Sequence, residues 1–263
     1  VIPEVAARAH HEWLPRLLNE VLQEAEGLGV AGEIEGVALT TGPGLVGSLL
    51  VGAGIGSAWA WARGLPVIPV NHLEGHLRAA WLREAADVDE PALPAIGLVV
   101  SGGHTLLVRI ERDGAMQRLG GTIDDAAGEA FDKIARVMKL GFPGGPAIDS
   151  MAKSGNATAI NFPRGLTTTN DWETRPFDFS FSGLKTAVAR YLESTPDYVK
   201  ADVAASFQES IVDVLLQKSL AACKETGIDS LVIAGGVAAN SRLRAVATER
   251  CEKAGIQLRV PSP

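Results

Sequence analysis

The chain contains the stretch Leu231-Val232-Ile233-Ala234-Gly235-Gly236-Val237-Ala238-Ala239-Asn240. In it, an apolar run is followed by a glycine turn and then by the predicted start of a helix. Residues 230–234 have the composition of a buried strand, and asparagine is a favoured residue at the start of a helix. Glycines at such a junction allow a flat base or a ribose to approach the backbone closely. The stretch therefore predicts an α/β protein whose sheet edge is suited to a nucleotide.

A second glycine turn has the sequence Val99-Val100-Ser101-Gly102-Gly103-His104-Thr105 and lies between two apolar runs. Its backbone amides can form a nest for a phosphate, because the two glycines place no side chain in the way. A plain hairpin turn would show the same pattern. Two such turns, each following a strand, are typical of the nucleotide cleft of the actin, Hsp70 and sugar-kinase superfamily.

A third turn, Gly42-Pro43-Gly44-Leu45-Val46-Gly47, formally matches the dinucleotide-binding fingerprint. That fingerprint requires an acidic residue at the end of the next strand to hold a ribose, and here the strand ends in Val70-Asn71. We therefore interpret this turn as a strand-to-helix connection that permits close packing, and not as a cofactor site.

His72 and His76 are a candidate pair of metal ligands. On a helix, residues four apart lie on one face, at a spacing that allows two imidazoles to bind one ion. Asn71 is placed to cap this helix. The zinc-peptidase pattern has its glutamate directly after the first histidine, whereas Leu73 occupies that position here. Two surface histidines on one helix remain the simpler alternative.

Strands and helices alternate along the chain, which predicts α/β architecture with a mixed sheet in each of two lobes. Residues 1–92 are expected to be the remainder of the first lobe and to carry the histidine pair, and residues 93–263 to be the second lobe with the nucleotide and substrate loops. The chain lacks an initial methionine and ends in an apolar run, so we expect an internal piece of a longer protein, truncated at both ends. Predicted strands are 36–39, 66–70, 95–100, 106–110, 177–182, 230–234 and 257–260, and predicted helices are 1–27, 45–61, 72–83, 126–140 and 203–222.

Composition and charge narrow the function classes. The hydrophobic content of 46% is ample for a core, and the net charge of −7 argues against general coating of nucleic acid. An RNA partner must then be met by a local basic patch or through another subunit. The uncharged segment from Gly36 to Ala62 imitates a membrane span, but its many glycines and serines are typical of a helix packed on a sheet. We expect a cytoplasmic protein that does not enter a membrane.

Several motifs together resemble the TsaD family of bacterial tRNA threonylcarbamoyladenosine transferases, once labelled O-sialoglycoprotein endopeptidases. The resemblance covers nearly the whole chain. The runs that carry it are Asn71-His72-Leu73-Glu74-Gly75-His76, Ser101-Gly102-Gly103-His104-Thr105, Ile123-Asp124-Asp125-Ala126-Ala127-Gly128-Glu129-Ala130-Phe131-Asp132-Lys133, Pro143-Gly144-Gly145-Pro146, Phe179-Ser180-Phe181-Ser182-Gly183-Leu184-Lys185 and Gly235-Gly236-Val237-Ala238-Ala239-Asn240.

The resemblance implies an actin-like two-lobed fold and a specific reaction. A threonylcarbamoyl group passes from threonylcarbamoyl-adenylate to the exocyclic amine of the adenosine next to the tRNA anticodon. It also implies one divalent metal ion, iron or zinc, and TsaB-like and TsaE-like protein subunits as partners. The metal ligands that it implies are His72 and His76, with a third, an aspartate, downstream of Pro263. The substrate contacts that it implies are Val99, Val100, Ser101, Gly102, Gly103, Asp132, Gly145, Asp149 and Asn240.

Other interpretations remain open for some of these residues and for the function. Asp132 lies close to Glu129 and Lys133 in sequence, so it also suits an ordinary solvated helix face. Lys185 is equally suited to solvent and to contact with RNA or phosphate. A metallopeptidase and a kinase of the actin-like fold are the alternative functions, although the kinase has no use for a histidine pair.

Overall fold

The computed structural model describes residues 2–81 and 92–261. The chain divides into two compact units, Val1–Gly75 and His76–Pro263. Each unit has its own sheet. The lobe boundary after residue 92 stays a prediction.

The first unit is a helical layer on a pair of strands. It contains α1 (Pro3–Gly27), β1 (Val37–Gly42), α2 (Val46–Ala62) and β2 (Val67–Asn71). The strands β1 and β2 run parallel, so the described strands of this unit do not form the mixed sheet that we predicted. A Cβ on Gly56 of α2 would lie 2.3 Å from a methyl carbon of Leu39 on β1. Gly56 thus permits close packing of α2 on β1, as the sequence predicted, whereas a Cβ on Gly52 or Gly54 would meet nothing within 4 Å.

The second unit is built on a mixed five-stranded sheet with the strand order β5-β4-β3-β6-β7. Its strands are β3 (Ala95–Val100), β4 (Thr105–Ile110), β5 (Met116–Gly121), β6 (Ser230–Ala234) and β7 (Gln257–Arg259). Its helices are α3 (His72–Arg78, which begins in the first unit), α4 (Ala127–Val137), α5 (Gly144–Ala152), α6 (Thr169–Thr174), α7 (Ser182–Ser194), α8 (Lys200–Thr226) and α9 (Ser241–Ala254). The predicted helix 72–83 is therefore shorter, with a 3-10 turn at Ala79–Trp81, and residues 82 and 83 lie outside the described residues.

The two central strands place both glycine turns at one edge of the sheet. All residues of β3 and β6 are buried, and the strands pair in parallel with Val99 opposite Ala234. Parallel strands end at the same edge, which is where α/β proteins bind ligands. The turn after Val100 and the turn after Ala234 are therefore neighbours.

One predicted strand was wrong. Residues 177–182 alternate in burial, and Phe177, Phe179 and Phe181 all enter the core. Their backbone, however, makes only a single bridge between Phe179 and Thr122, and α7 begins at Ser182. Alternating burial thus arises here in an irregular segment that packs on the core without a neighbouring strand.

Asp124 explains why a helix begins at Ser182. Its carboxylate accepts hydrogen bonds from Ser180 Oγ at 2.6 Å, from the Phe181 amide at 2.9 Å and from Ser182 Oγ at 2.7 Å. Partial burial pushes the pKa of Asp124 upward, but these hydrogen bonds outweigh that effect and the pKa lies below its ordinary value. The charged carboxylate therefore holds the start of α7.

The core of the second unit forms around α8, which is buried on nearly all sides. Even Lys218 has no exposed surface, and its Nζ donates to the Pro176 carbonyl at 3.0 Å and lies 4.6 Å from the centre of the Trp172 ring. Burial lowers the pKa of Lys218. No helix among the described residues is long and apolar enough to cross a membrane.

Candidate functional site

The turn after β3 is a closed hairpin held on the start of α4. The Ser101 amide donates to the His104 carbonyl at 2.8 Å, and the His104 amide donates to Ser101 Oγ at 3.1 Å. The Ser101 carbonyl accepts from the Gly128 amide at 3.2 Å, and a Cβ on Gly128 would lie 2.5 Å from that carbonyl oxygen. The contact with α4 therefore requires glycine at position 128 and fixes where the turn lies.

The turn after β6 approaches the same strand end. Gly235 has φ +97°, and a Cβ there would lie 2.4 Å from the Val100 carbonyl oxygen. The next glycine differs, because a Cβ on Gly236 would meet nothing within 4 Å. The same holds for Gly102 in the first turn. Gly235 thus serves the fold, whereas Gly102 and Gly236 leave open space at the sheet edge.

That open space is a cavity of about 420 Å³. Both glycine turns contribute to its wall, together with residues of α4 and α5 and the segment before α5. Its lining residues are Gly102, Gly128, Phe131, Asp132, Pro143, Gly145, Pro146, Asp149, Ser150, Lys153, Gly236, Val237, Ala239 and Asn240. The volume is within the range of small-molecule sites.

Five of the nine substrate contacts that the family resemblance implies lie in this wall: Gly102, Asp132, Gly145, Asp149 and Asn240. The other four do not line it. Val99 and Val100 are fully buried in β3, so they position the turn and offer no side chain to a ligand. Ser101 and Gly103 flank Gly102 within the hairpin turn. Contact of all nine with a substrate stays a prediction.

Asp132 faces the cavity and joins α4 to α5. One of its carboxylate oxygens accepts from the Gly144 amide at 2.7 Å, at the start of α5. Lys133, the next residue, forms ion pairs that do not include Asp132: its Nζ lies 2.7 Å from Asp125 and 2.9 Å from Glu129. Asp132 is thus outside this ion-paired group, and its contact with a substrate stays a prediction.

Asp149 and Asn240 are held rigidly at the start of α9. Asp149 accepts from Ser241 Oγ at 2.8 Å. Asn240 caps the helix by accepting from the Leu243 amide at 2.9 Å, while its Nδ2 donates to Gln208 Oε1 at 2.8 Å. Both side chains are therefore oriented before any ligand arrives, which lowers the entropic cost of binding.

Lys153 is a cation in the cavity wall that the sequence did not predict. Lys153 follows the last turn of α5, is exposed, and lies four residues after Asp149. Helix α5 itself was not predicted, because its first residues, Gly144-Gly145-Pro146, have the composition of a loop. The helical spacing of Ile148 and Ala152, both buried, was the signal that could have revealed it.

The histidine pair lies on α3, with His72 at its first position and His76 one turn later. The Asn71 side chain accepts from the Leu73 amide at 2.9 Å and so caps this helix as predicted. Among residues 2–81 and 92–261, no three His, Cys, Asp or Glu side chains are grouped closely enough to hold a metal ion. The metal site stays a prediction.

Lys185 lies in the first turn of α7 and not at a strand end. Its Nζ is 3.6 Å from Asp125 Oδ2, an oxygen that is buried without a hydrogen-bond partner in the described part of the chain. Lys185 therefore forms an ion pair with Asp125 in the structure.

The chain resembles known proteins in both sequence and fold. The model of the TsaD family, described as tRNA N6-adenosine threonylcarbamoyltransferase, matches residues 1–263. A tRNA N6-adenosine threonylcarbamoyltransferase of Corynebacterium diphtheriae is 50% identical over an alignment 269 residues long, gaps included, which covers 100% of this chain and 74% of that protein. These findings favour neither the metallopeptidase nor the kinase.

Among solved structures, full-length HypF in its phosphate- and nucleotide-bound form has a TM-score of 0.64 at 14% identity. The match covers 92% of this chain and 46% of that one. T. kodakarensis HypF has a TM-score of 0.62 at 14% identity, with 87% of this chain and 38% of that one covered. At such identities the likeness shows the fold alone, and it confirms the predicted actin-like α/β class.

The glycine turns, the cavity between them and the sequence match therefore lead to one conclusion. The chain belongs to the TsaD family, whose enzymes transfer a threonylcarbamoyl group to N6 of an adenosine in tRNA.

Proposed function

We propose that the cavity between the two glycine turns binds threonylcarbamoyl-adenylate as the donor, and that the acceptor is the adenosine next to the anticodon. The observation that carries this proposal is the open space at Gly102 and Gly236, where two backbone turns from adjacent parallel strands meet one cavity. A planar base and a ribose fit against such backbone because no side chain intervenes.

The donor is a mixed anhydride of a carbamic and a phosphoric acid, so it is already activated. The adenosine amine attacks the carbonyl carbon, the bond from that carbon to the phosphate oxygen breaks, the amine loses a proton, and AMP leaves. The enzyme has to orient the two reactants and stabilise the negative charge that develops on the carbonyl oxygen and on the leaving phosphate. Lys153 is the cation in the cavity wall that suits the phosphate, and Asp132 and Asn240 are rigid polar groups that suit the nucleoside.

Replacement of Lys153 by glutamine tests this placement. In full-length enzyme, we expect the Kd for AMP to rise about ten-fold, because the phosphate loses a charge-assisted hydrogen bond. Adenosine lacks the phosphate, so its Kd should stay unchanged. Isothermal titration calorimetry measures both, with Lys200→Gln, an exposed lysine at the start of α8, as the matched control. Equal losses for AMP and adenosine would contradict contact between Lys153 and the phosphate.

We also propose that His72 and His76 supply two ligands of a divalent metal, iron or zinc, with further ligands outside the described residues. Two imidazoles spaced by one helical turn suit such an ion. When bound, the metal supplies Lewis-acid stabilisation of the transferring group. What the chain itself contributes is the orientation of the two rings by the Asn71-capped helix.

Metal analysis tests the two histidines. Full-length enzyme is expected to contain about one ion per molecule, and the His76→Ala variant at least about ten-fold less, since a three-ligand site loses a third of its ligands. His10→Ala on the exposed face of α1 is the control. Full metal content in both His72→Ala and His76→Ala would overturn the assignment.

TsaB-like and TsaE-like subunits are proposed partners. A row of apolar side chains on α1 supports a protein interface: Trp13, Leu17 and Val21 are spaced by four residues and remain 54%, 49% and 61% exposed. Leu17→Asp should abolish association with a partner that uses this row, as measured by analytical ultracentrifugation. Undiminished association would place the partner elsewhere.

A further inference from the structure

A second, shallower depression adjoins the donor cavity. It has a volume of about 430 Å³ and is lined by Asp132, Arg136, Lys139, Gly141 and Phe142. Asp132 lines both depressions, and Phe142 is followed in the chain by Pro143, which lines the donor cavity. A ligand in the second depression would therefore lie next to the donor cavity.

The most unusual feature of this depression is Phe142, whose surface is 82% exposed. A large aromatic side chain in water loses the burial energy that such a residue normally contributes to the fold. The neighbouring Phe131, by contrast, is buried in the core and contacts Phe207 with ring centres 5.4 Å apart. Packing within the chain thus explains why position 131 is a phenylalanine, but it does not explain the exposed ring of Phe142.

Two exposed cations accompany the ring. Arg136 lies in the last turn of α4, and Lys139 follows its end with φ +55°. The backbone around them is fixed, since the Lys139 amide donates to the Arg136 carbonyl at 3.1 Å and the Leu140 amide to the Ala135 carbonyl at 2.9 Å. Favourable interaction with the helix dipole explains cations at this end of α4. It does not explain an exposed ring beside them.

The charge of this patch also differs from that of its surroundings. Lys133, one turn before, has its charge compensated by Asp125 and Glu129, whereas neither Arg136 nor Lys139 forms an ion pair with a described residue. The chain as a whole carries a net charge of −7. The depression is lined by two cations, Arg136 and Lys139, and by one carboxylate, Asp132, so a net excess of positive charge remains. Excess cations beside an aromatic ring are the combination that binds single-stranded nucleic acid, because a base stacks on the ring and the cations contact the phosphates.

We infer that Phe142, Arg136 and Lys139 bind the tRNA strand beside the acceptor adenosine, with one base stacked on Phe142. The inference rests on the proposed function, since it places the acceptor at the mouth of the donor cavity. A base stacked outside the cavity holds the strand so that the neighbouring adenosine amine points toward the donor carbonyl. Phe142 is therefore a positioning residue for the acceptor.

Full-length enzyme with its partner subunits and unmodified tRNA provides the test. Phe142→Leu keeps an apolar side chain but removes the stacking face, so the Kd for tRNA is expected to rise about ten-fold. Phe142→Tyr restores the ring and should return the Kd to within about two-fold of the original. Fluorescence anisotropy with labelled tRNA measures these constants, and a tRNA with an abasic site next to the acceptor should remove the difference between Phe142→Leu and the unaltered enzyme.

The cations have a separate signature. In the double variant Arg136→Gln/Lys139→Gln, the slope of log K against log salt concentration should become less steep by about 0.7 for each phosphate that is no longer neutralised. The control is Arg190→Gln/Lys200→Gln, which removes the same number of exposed cations elsewhere in the second unit. The affinity for threonylcarbamoyl-adenylate should be unchanged in all these variants.

Three results would overturn the inference. Unchanged tRNA affinity and salt slope in the Phe142 and cation variants would show that the strand lies elsewhere. A parallel loss of donor affinity would assign the residues to the donor site, and loss of association with a protein subunit would assign the patch to that subunit. Failure of the unaltered enzyme to bind the donor would refute the proposed donor site and leave the tRNA measurements interpretable.

Discussion

Replacement of Gly236 by leucine is expected to weaken binding of threonylcarbamoyl-adenylate by about 100-fold or more, with no loss of the fold. A side chain at this position enters the cavity, whose wall includes Gly236, and meets no protein atom within 4 Å at its Cβ. The leucine therefore occupies the volume of the ligand and not that of the core. Gly102→Leu, in the other turn, should act in the same way.

Calorimetry on the full-length enzyme measures this loss, and circular dichroism verifies that the variants fold. Gly183→Leu is a matched control, since Gly183 is exposed and a Cβ there also meets nothing within 4 Å, but the residue does not line the cavity. Donor affinity within about two-fold of the original in folded Gly236→Leu and Gly102→Leu proteins would show that the donor binds elsewhere.

Replacement of Gly235 by alanine should instead lower the stability of the fold by a large amount. The added Cβ would lie 2.4 Å from the Val100 carbonyl oxygen, and φ at +97° is strained for any residue with a side chain. We expect the free energy of unfolding to fall by about 3 kcal/mol, the sum of a backbone clash and an unfavourable dihedral angle.

Urea denaturation of the two single variants compares adjacent glycines directly. Gly236→Ala should change the free energy of unfolding by less than about 0.5 kcal/mol, because its Cβ has open space. Equal stabilities for Gly235→Ala and Gly236→Ala would contradict the assignment of one glycine to the fold and the other to the ligand.

Much of the fold was predictable because its signals are local. The buried strands β3 and β6, the hairpin between β3 and β4, and the capping of α3 by Asn71 all follow from residue type and spacing over a few positions. The segment 177–182 shows the limit of such reasoning. Its period of two reflects burial of Phe177, Phe179 and Phe181, and hydrogen bonds from residues 180–182 to Asp124, more than fifty positions earlier, end the extended backbone there.

The sequence by itself determined the family, the strand and turn at each glycine motif, and the residue types that a nucleotide site needs. Only the tertiary structure decided which of those residues line the same cavity. Parallel pairing of β3 with β6 brings turns more than a hundred residues apart to one edge, and the contact of Gly144 with Asp132 adds α5 and Lys153 to the same cavity. Such groupings depend on contacts between distant segments, which local spacing along a chain does not encode.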